Sequence, residues 1–200
     1  MDMRTGIAAY GTIEMMLKEV MLAQLSDYYQ IPSWGTGGCT DSKVLDEQAI
    51  AEAVMNLTIS ALSGNNLVHD VAFMEFANSG SFELLVICDE IIAMLKRFMR
   101  GVKVDNETLA VEIIKEAGHG GDFLHLDHTL KYFKEEFMIP ELMDRSPWSR
   151  WEKEKKTLAK RAHEKVIKIL KEHSVEPIPK VIKEEIEKLI YKVEGRVIKT

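Results

Sequence analysis

The chain has 200 residues, 46% hydrophobic and 29% charged, which is enough apolar material for one real core. Two cysteines are too few for a disulfide framework, and a net charge of −6 argues against a general binder of nucleic acid or anionic membrane. No run of about 20 uncharged apolar residues is present to span a membrane. Met1-Asp2-Met3-Arg4-Thr5-Gly6 lacks the basic-then-apolar pattern of a signal peptide, so the expected location is the reducing cytoplasm.

Apolar residues spaced three and four apart (Ile13, Met16, Leu17, Val20, Leu22-Ala23, Leu25) predict an amphipathic helix over 12–29. The short apolar run 31–35 then reads as a buried strand leaving through a glycine-rich turn, Gly35-Thr36-Gly37-Gly38-Cys39-Thr40. A second helix is predicted over 46–63, with Asp46 as its N-cap and Ala49, Ile50, Ala53, Val54, Leu57 and Ala61 inward. A strand over 67–71, a loop over 73–80 and a third helix over 82–100 follow, the last ending at Lys96, Arg97 and Gly101 as the dipole and cap preferences favour. Alternating helices and strands with short turns predict a parallel α/β sheet or barrel. Further helices are predicted over 109–116 and 129–137, then a long basic helix over 152–173 and a last amphipathic one over 181–193.

Charge divides the chain. Residues 1–145 hold 11 Lys/Arg against 23 Asp/Glu, and residues 146–200 hold 15 against 9. The expected organisation is therefore a region 1–145 built of β/α units and a basic helical extension over 146–200. The basic helices read first as a solvated face, and second as a surface for an acidic partner.

In parallel α/β folds the active groups gather in the loops after the strands. One such loop, 35–46, carries Cys39, Asp41, Ser42, Lys43 and Asp46; the other, 69–79, carries His69, Asp70, Glu75, Asn78 and Ser79. Neutral His69 can accept a proton near pH 7, and Glu75 can steer an ammonium group, although a histidine at a strand end is often only a hydrogen-bonded neighbour. Gly35-x-Gly37-Gly38 lacks the third glycine of a dinucleotide loop, so its glycines more simply allow positive φ or close approach of a ligand. Cys39 reads as a nucleophile or a metal ligand, although no second cysteine or histidine lies at metal spacing nearby, and Cys88 as core. His119, His125 and His128 have spacings that match no standard metal site, and no metal is expected.

Six blocks together resemble the trimethylamine:corrinoid methyltransferase family. They are Met1-Asp2-Met3-Arg4-Thr5-Gly6, Trp34-Gly35-Thr36-Gly37-Gly38-Cys39-Thr40-Asp41-Ser42-Lys43, Leu62-Ser63-Gly64-Asn65-Asn66-Leu67-Val68-His69-Asp70-Val71, Gly80-Ser81-Phe82-Glu83-Leu84-Leu85-Val86, Asp89-Glu90-Ile91-Ile92 and His128-Thr129-Leu130. The similarity runs in order to about His173.

The resemblance implies a TIM-type (β/α)8 barrel with its substrate site at the C-terminal face. There a methylated amine, trimethylamine or in some members glycine betaine, gives a methyl group to the cobalt of a corrinoid held by a partner protein. No cofactor would be bound directly, and a homo-oligomer is expected. By position Asp41, Lys43, His69 and Glu75 would be catalytic at the barrel mouth, with Gly37, Gly38, Cys39 and Asp70 binding substrate. A complete barrel takes about 250 residues, so the chain resembles the C-terminal part of a member. Some members carry pyrrolysine; this sequence shows none. The competing reading is a non-catalytic partial barrel that folds only against its N-terminal half or another chain.

Overall fold

The computed structural model describes residues 1–197. Its first five elements are α1 (Ile13–Tyr28), β1 (Trp34–Thr36), α2 (Glu47–Leu62), β2 (Leu67–His69) and the hairpin strand β3 (Phe73–Met74). Then come β4 (Ser79–Gly80), α3 (Phe82–Met99), α4 (Val111–Ala117), α5 (Asp127–Glu136), α6 (Trp148–Glu154), α7 (Leu158–Glu172) and α8 (Lys180–Val197). The architecture is mixed α/β with two small sheets, and among the described residues there is no closed barrel.

The first helices lie where the apolar spacing puts them. Asp46 caps α2 by accepting the Ala49 N–H at 3.0 Å, and Ser81 caps α3 by accepting that of Leu84 at 3.1 Å. β1 begins at Trp34 rather than Ile31. Gln30 takes a left-handed turn and Ile31 N–H closes back on the Ser26 carbonyl, so the chain is still leaving α1 where the apolar run starts. The loop expected over 73–80 contains a tight antiparallel hairpin, Phe73 opposite Gly80. The helix expected over 152–173 is two helices, because Lys155 is left-handed and the Lys156 carbonyl accepts from the side chains of Trp151 and Arg161.

β1 and β2 pair in parallel, Trp34 with Leu67 and Thr36 with His69, joined by α2 as the crossover. Their ladder continues past both strand ends. Gly37 N–H donates to the His69 carbonyl (3.0 Å), Ala72 to Gly38 (2.8 Å), Thr40 to Phe73 (2.9 Å) and Glu75 to Ser42 (3.1 Å). Two consecutive β/α units therefore run side by side, with their loops at the same end.

Chain division after Val166 gives two compact units. The first has its core between α2 and α3, where Ala49, Ala53 and Leu57 meet Leu84, Ile87, Cys88 and Ile91, and Leu142, Ala162 and Val166 complete it. The small residues on α2 let the helices approach closely. Buried Glu90 accepts the backbone N–H groups of Glu141, Leu142 and Met143 at 2.6–2.8 Å and so fixes the segment before α6. The change of charge at residue 146 falls inside this unit. The second unit, from Ile167 on, is the end of α7, a proline-containing link and α8; all its described residues through Gly195 are exposed.

The parallel sheet is only two strands wide. On the free edge of β1 the Thr36 N–H donates to the buried Glu19 carboxylate of α1 at 3.2 Å, and beside β2 no further strand lies among the described residues. Alternation turns Gly35 and Val68 toward α2, and Trp34, Leu67 and His69 the other way. On that second face Trp34 is 68% exposed and Leu67 62%, while Thr36 is buried. Along α1, Ile13, Leu17, Met21, Leu25 and Tyr28 form a further exposed apolar stripe.

Candidate functional site

A polar file on α2, Glu52, Asn56 and Ser60, sits one helical turn apart per residue and packs straight onto glycine backbone. A side chain at Gly35 would meet the Ser60 hydroxyl and the Asn65 amide, and one at Gly11 would lie 2.2 Å from a Glu52 carboxylate oxygen. The same Glu52 oxygen accepts the Thr40 hydroxyl (2.6 Å) and the Asp41 N–H (2.8 Å), while its other oxygen accepts from Gln48 (2.9 Å). Asn56 reaches the Tyr10 carbonyl through its amide nitrogen at 3.4 Å; its buried Oδ1 has no hydrogen-bond partner among the described residues.

The Asp41 carboxylate takes the N–H groups of Tyr10 (2.8 Å) and Gly11 (3.1 Å), tying the segment before α1 to the loop after β1. Both of its oxygens are thus engaged in holding backbone. Lys43 is exposed, donates to the Asp41 carbonyl at 2.9 Å and lies 4.6 Å over the Phe76 ring, so it links the two strand-end loops. Gly37 and Gly38 are buried in the ladder, Gly38 at φ +75°. Cys39 is also buried: desolvation, with the Asp70 charge behind it, pushes its thiol up to about 12, which leaves it a thiol rather than a thiolate nucleophile. Burial does the same to Cys88.

At the carboxyl end of β2 the His69 ring meets Asp70, Nδ1 to Oδ1 at 2.7 Å, and the edge of Trp34 at 5.0 Å between ring centres. Asp70 is left-handed, φ +67°, which swings its carboxylate back toward the imidazole. An imidazole held at Nδ1 by a carboxylate has a fixed orientation and presents Nε2 to whatever approaches. From Asp70 to Ala77 five non-glycine residues have positive φ, including Glu75. The Glu75 N–H is bound to Ser42, and its carboxylate has no partner among the described residues. His69, Asp70 and the Lys43–Phe76 contact thus share one end of the parallel pair, while Asp41 and Cys39 serve the frame beneath it. No hydrogen bond or ion pair among the described residues joins His69 to Asp41, Lys43 or Glu75.

Sequence reasoning passed over Glu52, Trp34 and the Tyr10–Gly11 backbone. The signal for Glu52 was present: polar residues four apart on a mostly apolar helix mark a second buried face. Away from this end, His128 donates from Nε2 to the Glu107 carbonyl (3.0 Å) and stacks on Tyr132; among the described residues no group of three His, Cys, Asp or Glu is arranged to hold a metal ion. No helix among them is long and apolar enough to cross a membrane.

Comparison with known proteins matches residues 1–196 to the trimethylamine methyltransferase (MTTB) family model. A glycine betaine methyltransferase of Desulfitobacterium hafniense is 39% identical over 170 residues, 84% of this chain and 36% of that protein. Trimethylamine methyltransferase MttB of Methanosarcina barkeri is 37% identical over 194 residues, 96% of this chain and 39% of that one. A trimethylamine methyltransferase MttB of Desulfitobacterium hafniense is 34% identical over 183 residues, 91% and 37% respectively. The chain therefore spans little more than a third of the length of these relatives, and nearly all of its own length takes part in the match. The chain belongs to the trimethylamine methyltransferase family.

Proposed function

We propose that the chain is the C-terminal part of a (β/α)8-barrel methyltransferase that moves a methyl group from a methylated amine, trimethylamine first, to the cobalt of a corrinoid carried by a partner protein. The observation that carries this reading is the His69–Asp70 pair on the partly exposed face at the carboxyl end of a parallel β/α/β unit, in a chain of this family. Exposed Trp34 and Leu67 on that face fit a barrel interior awaiting its other strands. The C–N bond breaks and a C–Co bond forms: cobalt(I) supplies the electron pair, and the amine leaves with the pair of the broken bond. A substrate nitrogen that already carries positive charge makes that departure possible.

The chain's own contribution is electrostatic and positional. Asp70 offers negative charge to the ammonium, its hold on His69 fixes the imidazole wall, and Trp34 supplies an apolar, cation-tolerant surface that excludes water. Glu75, with its free carboxylate, steers the cation toward the mouth.

Anaerobic incubation of the full reading frame with a competent corrinoid protein, reduced to cobalt(I), and trimethylamine should give the methyl-cobalt absorption spectrum. Failure with trimethylamine, dimethylamine and glycine betaine alike would end this reading. Glycine betaine is the second donor to test, since a relative of that name matches as well as the trimethylamine enzymes. A non-catalytic partial barrel, favoured by the partly exposed strand face and α1 stripe, predicts instead that the isolated 200 residues melt without cooperativity and sharpen when the missing half is added.

A further inference from the structure

α8 is an amphipathic helix whose described apolar residues are exposed. Ile182, Ile186, Leu189 and Val193 are 42–62% exposed, as is Ile190 beside them. The spacing of the four is four, three, four, the alternation of a helix-pairing seam, and Ile190 widens the stripe on one side. Neither Glu185 nor Lys192, which flank the seam on one side, has an ion-pair partner among the described residues; the helix's own pair joins Lys183, on the other flank, to Glu187. The second unit buries none of its described residues, so that unit offers this seam no core of its own.

We propose that α8 is a self-association element: two copies of this chain pair their α8 helices antiparallel, Ile186 against the partner's Leu189 and Ile182 against the partner's Val193. The pattern closes on itself. The sums 186 + 189 and 182 + 193 are equal, so one two-fold axis between Glu187 and Lys188 makes all four layers apolar. The charges choose the direction. Antiparallel pairing sets Glu185 beside the partner's Lys192 on one flank, twice by symmetry, and lays the stem of Lys183 across the partner's Ile190 on the other. A parallel pair would set Glu185 beside Ile190 and bring no opposite charges together across the seam. With about three turns of seam the association is weak and concentration-dependent.

Sedimentation velocity of the full chain, from about 5 to about 300 µM, should show a monomer–dimer transition. Ile186→Asp should abolish it while helix content by circular dichroism is kept, since the site is exposed. Glu185→Lys should weaken it by about tenfold or more, and Glu185→Lys with Lys192→Glu should restore it. Direction is read by mixing Ile182→Cys and Val193→Cys chains: disulfide-linked dimers should form in the mixture and not from either variant alone. A chain that stays monomeric throughout, as it would if α8 served a different protein or another part of a longer chain, overturns the proposal. So does a dimer indifferent to Ile186→Asp, a charge swap that fails to rescue, or cross-linking of each cysteine variant with itself.

Discussion

The two loops at the carboxyl ends of β1 and β2 lie side by side, joined by the backbone bonds of Ala72 to Gly38, Thr40 to Phe73 and Glu75 to Ser42, and differ in what else holds them. The first adds side chains: Glu52 on Thr40 and Asp41, Asp41 on Tyr10 and Gly11, and Asp46 on Ser42 and Ala49. Its one left-handed residue is a glycine, Gly38. The second adds backbone turns of its own: Phe73 on Asp70, Asn78 on Glu75 and Ser81 on Ala72. Its left-handed residues are Asp70, Ala72, Glu75, Phe76 and Ala77, none of them glycine. The first loop is therefore a rigid frame whose weak points are carboxylates. The second carries stored conformational cost, concentrated next to the His69–Asp70 pair, which is where strain is tolerated when it serves a site.

Removing the frame's central carboxylate should have the largest effect. Glu52→Ala leaves the Thr40 hydroxyl and the Asp41 N–H without their charged acceptor and should cost about 2–3 kcal/mol in urea unfolding. An unchanged midpoint would mean the first loop does not depend on side chains. Gly11→Ala attacks the same point from the other side, since its methyl group would displace the Glu52 carboxylate. Alone it should cost about 1–2 kcal/mol, and in the Glu52→Ala background much less, a non-additivity that a double-mutant cycle measures directly. Additive costs would break the claimed contact.

These two loops also separate what the sequence discloses from what it conceals. Ser, Thr, Asp and Gly mark the first loop as a turn, and the N-cap at Asp46 could be read from residue type alone because capping is a local matter. Left-handed alanine, phenylalanine and glutamate in the second loop leave no such mark: nothing in Phe73-Met74-Glu75-Phe76-Ala77 distinguishes a tight hairpin from an open loop. The helices α2 and α3 were legible because their apolar period is set by the core they face, and α1 was legible from its period although Ile13, Leu17 and Leu25 are exposed. The break at Lys155 was not, because it depends on Trp151 and Arg161 reaching one carbonyl from two directions. For the site, His69 and Asp70 were found as neighbours in sequence. The frame role of Asp41 was hidden, since its partners lie thirty and thirty-one residues away in the chain.

A pair of glycine exchanges sharpens the contrast further. Gly38→Ala places a side chain at φ +75° and should lower stability by about 1 kcal/mol, whereas Ala77→Gly removes one from φ +68° at an exposed site and should raise it by about 0.5–1 kcal/mol. Opposite signs in thermal melts support the division of labour between the loops. If relieving Ala77 also lowers activity with the corrinoid acceptor while stability rises, the strain belongs to the site; equal activity would make it incidental.

The smallest effect is one of pH, and it should appear in the first loop alone. The Asp46 carboxyl is held below its ordinary range, first by the Ala49 N–H and then by the Ser42 hydroxyl. A lowered pKa in the folded state means the contribution is complete above the unfolded value, near pH 4, and is lost as the pH falls through the folded value. Asp46→Asn keeps a cap oxygen for Ala49 but cannot titrate, so its melting temperature should match the parent near neutrality and fall less steeply with acid below about pH 4. The second loop has no such carboxylate cap. Asn78→Ala there should leave the acid limb as it is, because the bond it contributes is the backbone N–H to Glu75, which any residue but proline supplies. Parallel acid limbs for parent and Asp46→Asn would show that the first loop, too, is carried by its backbone.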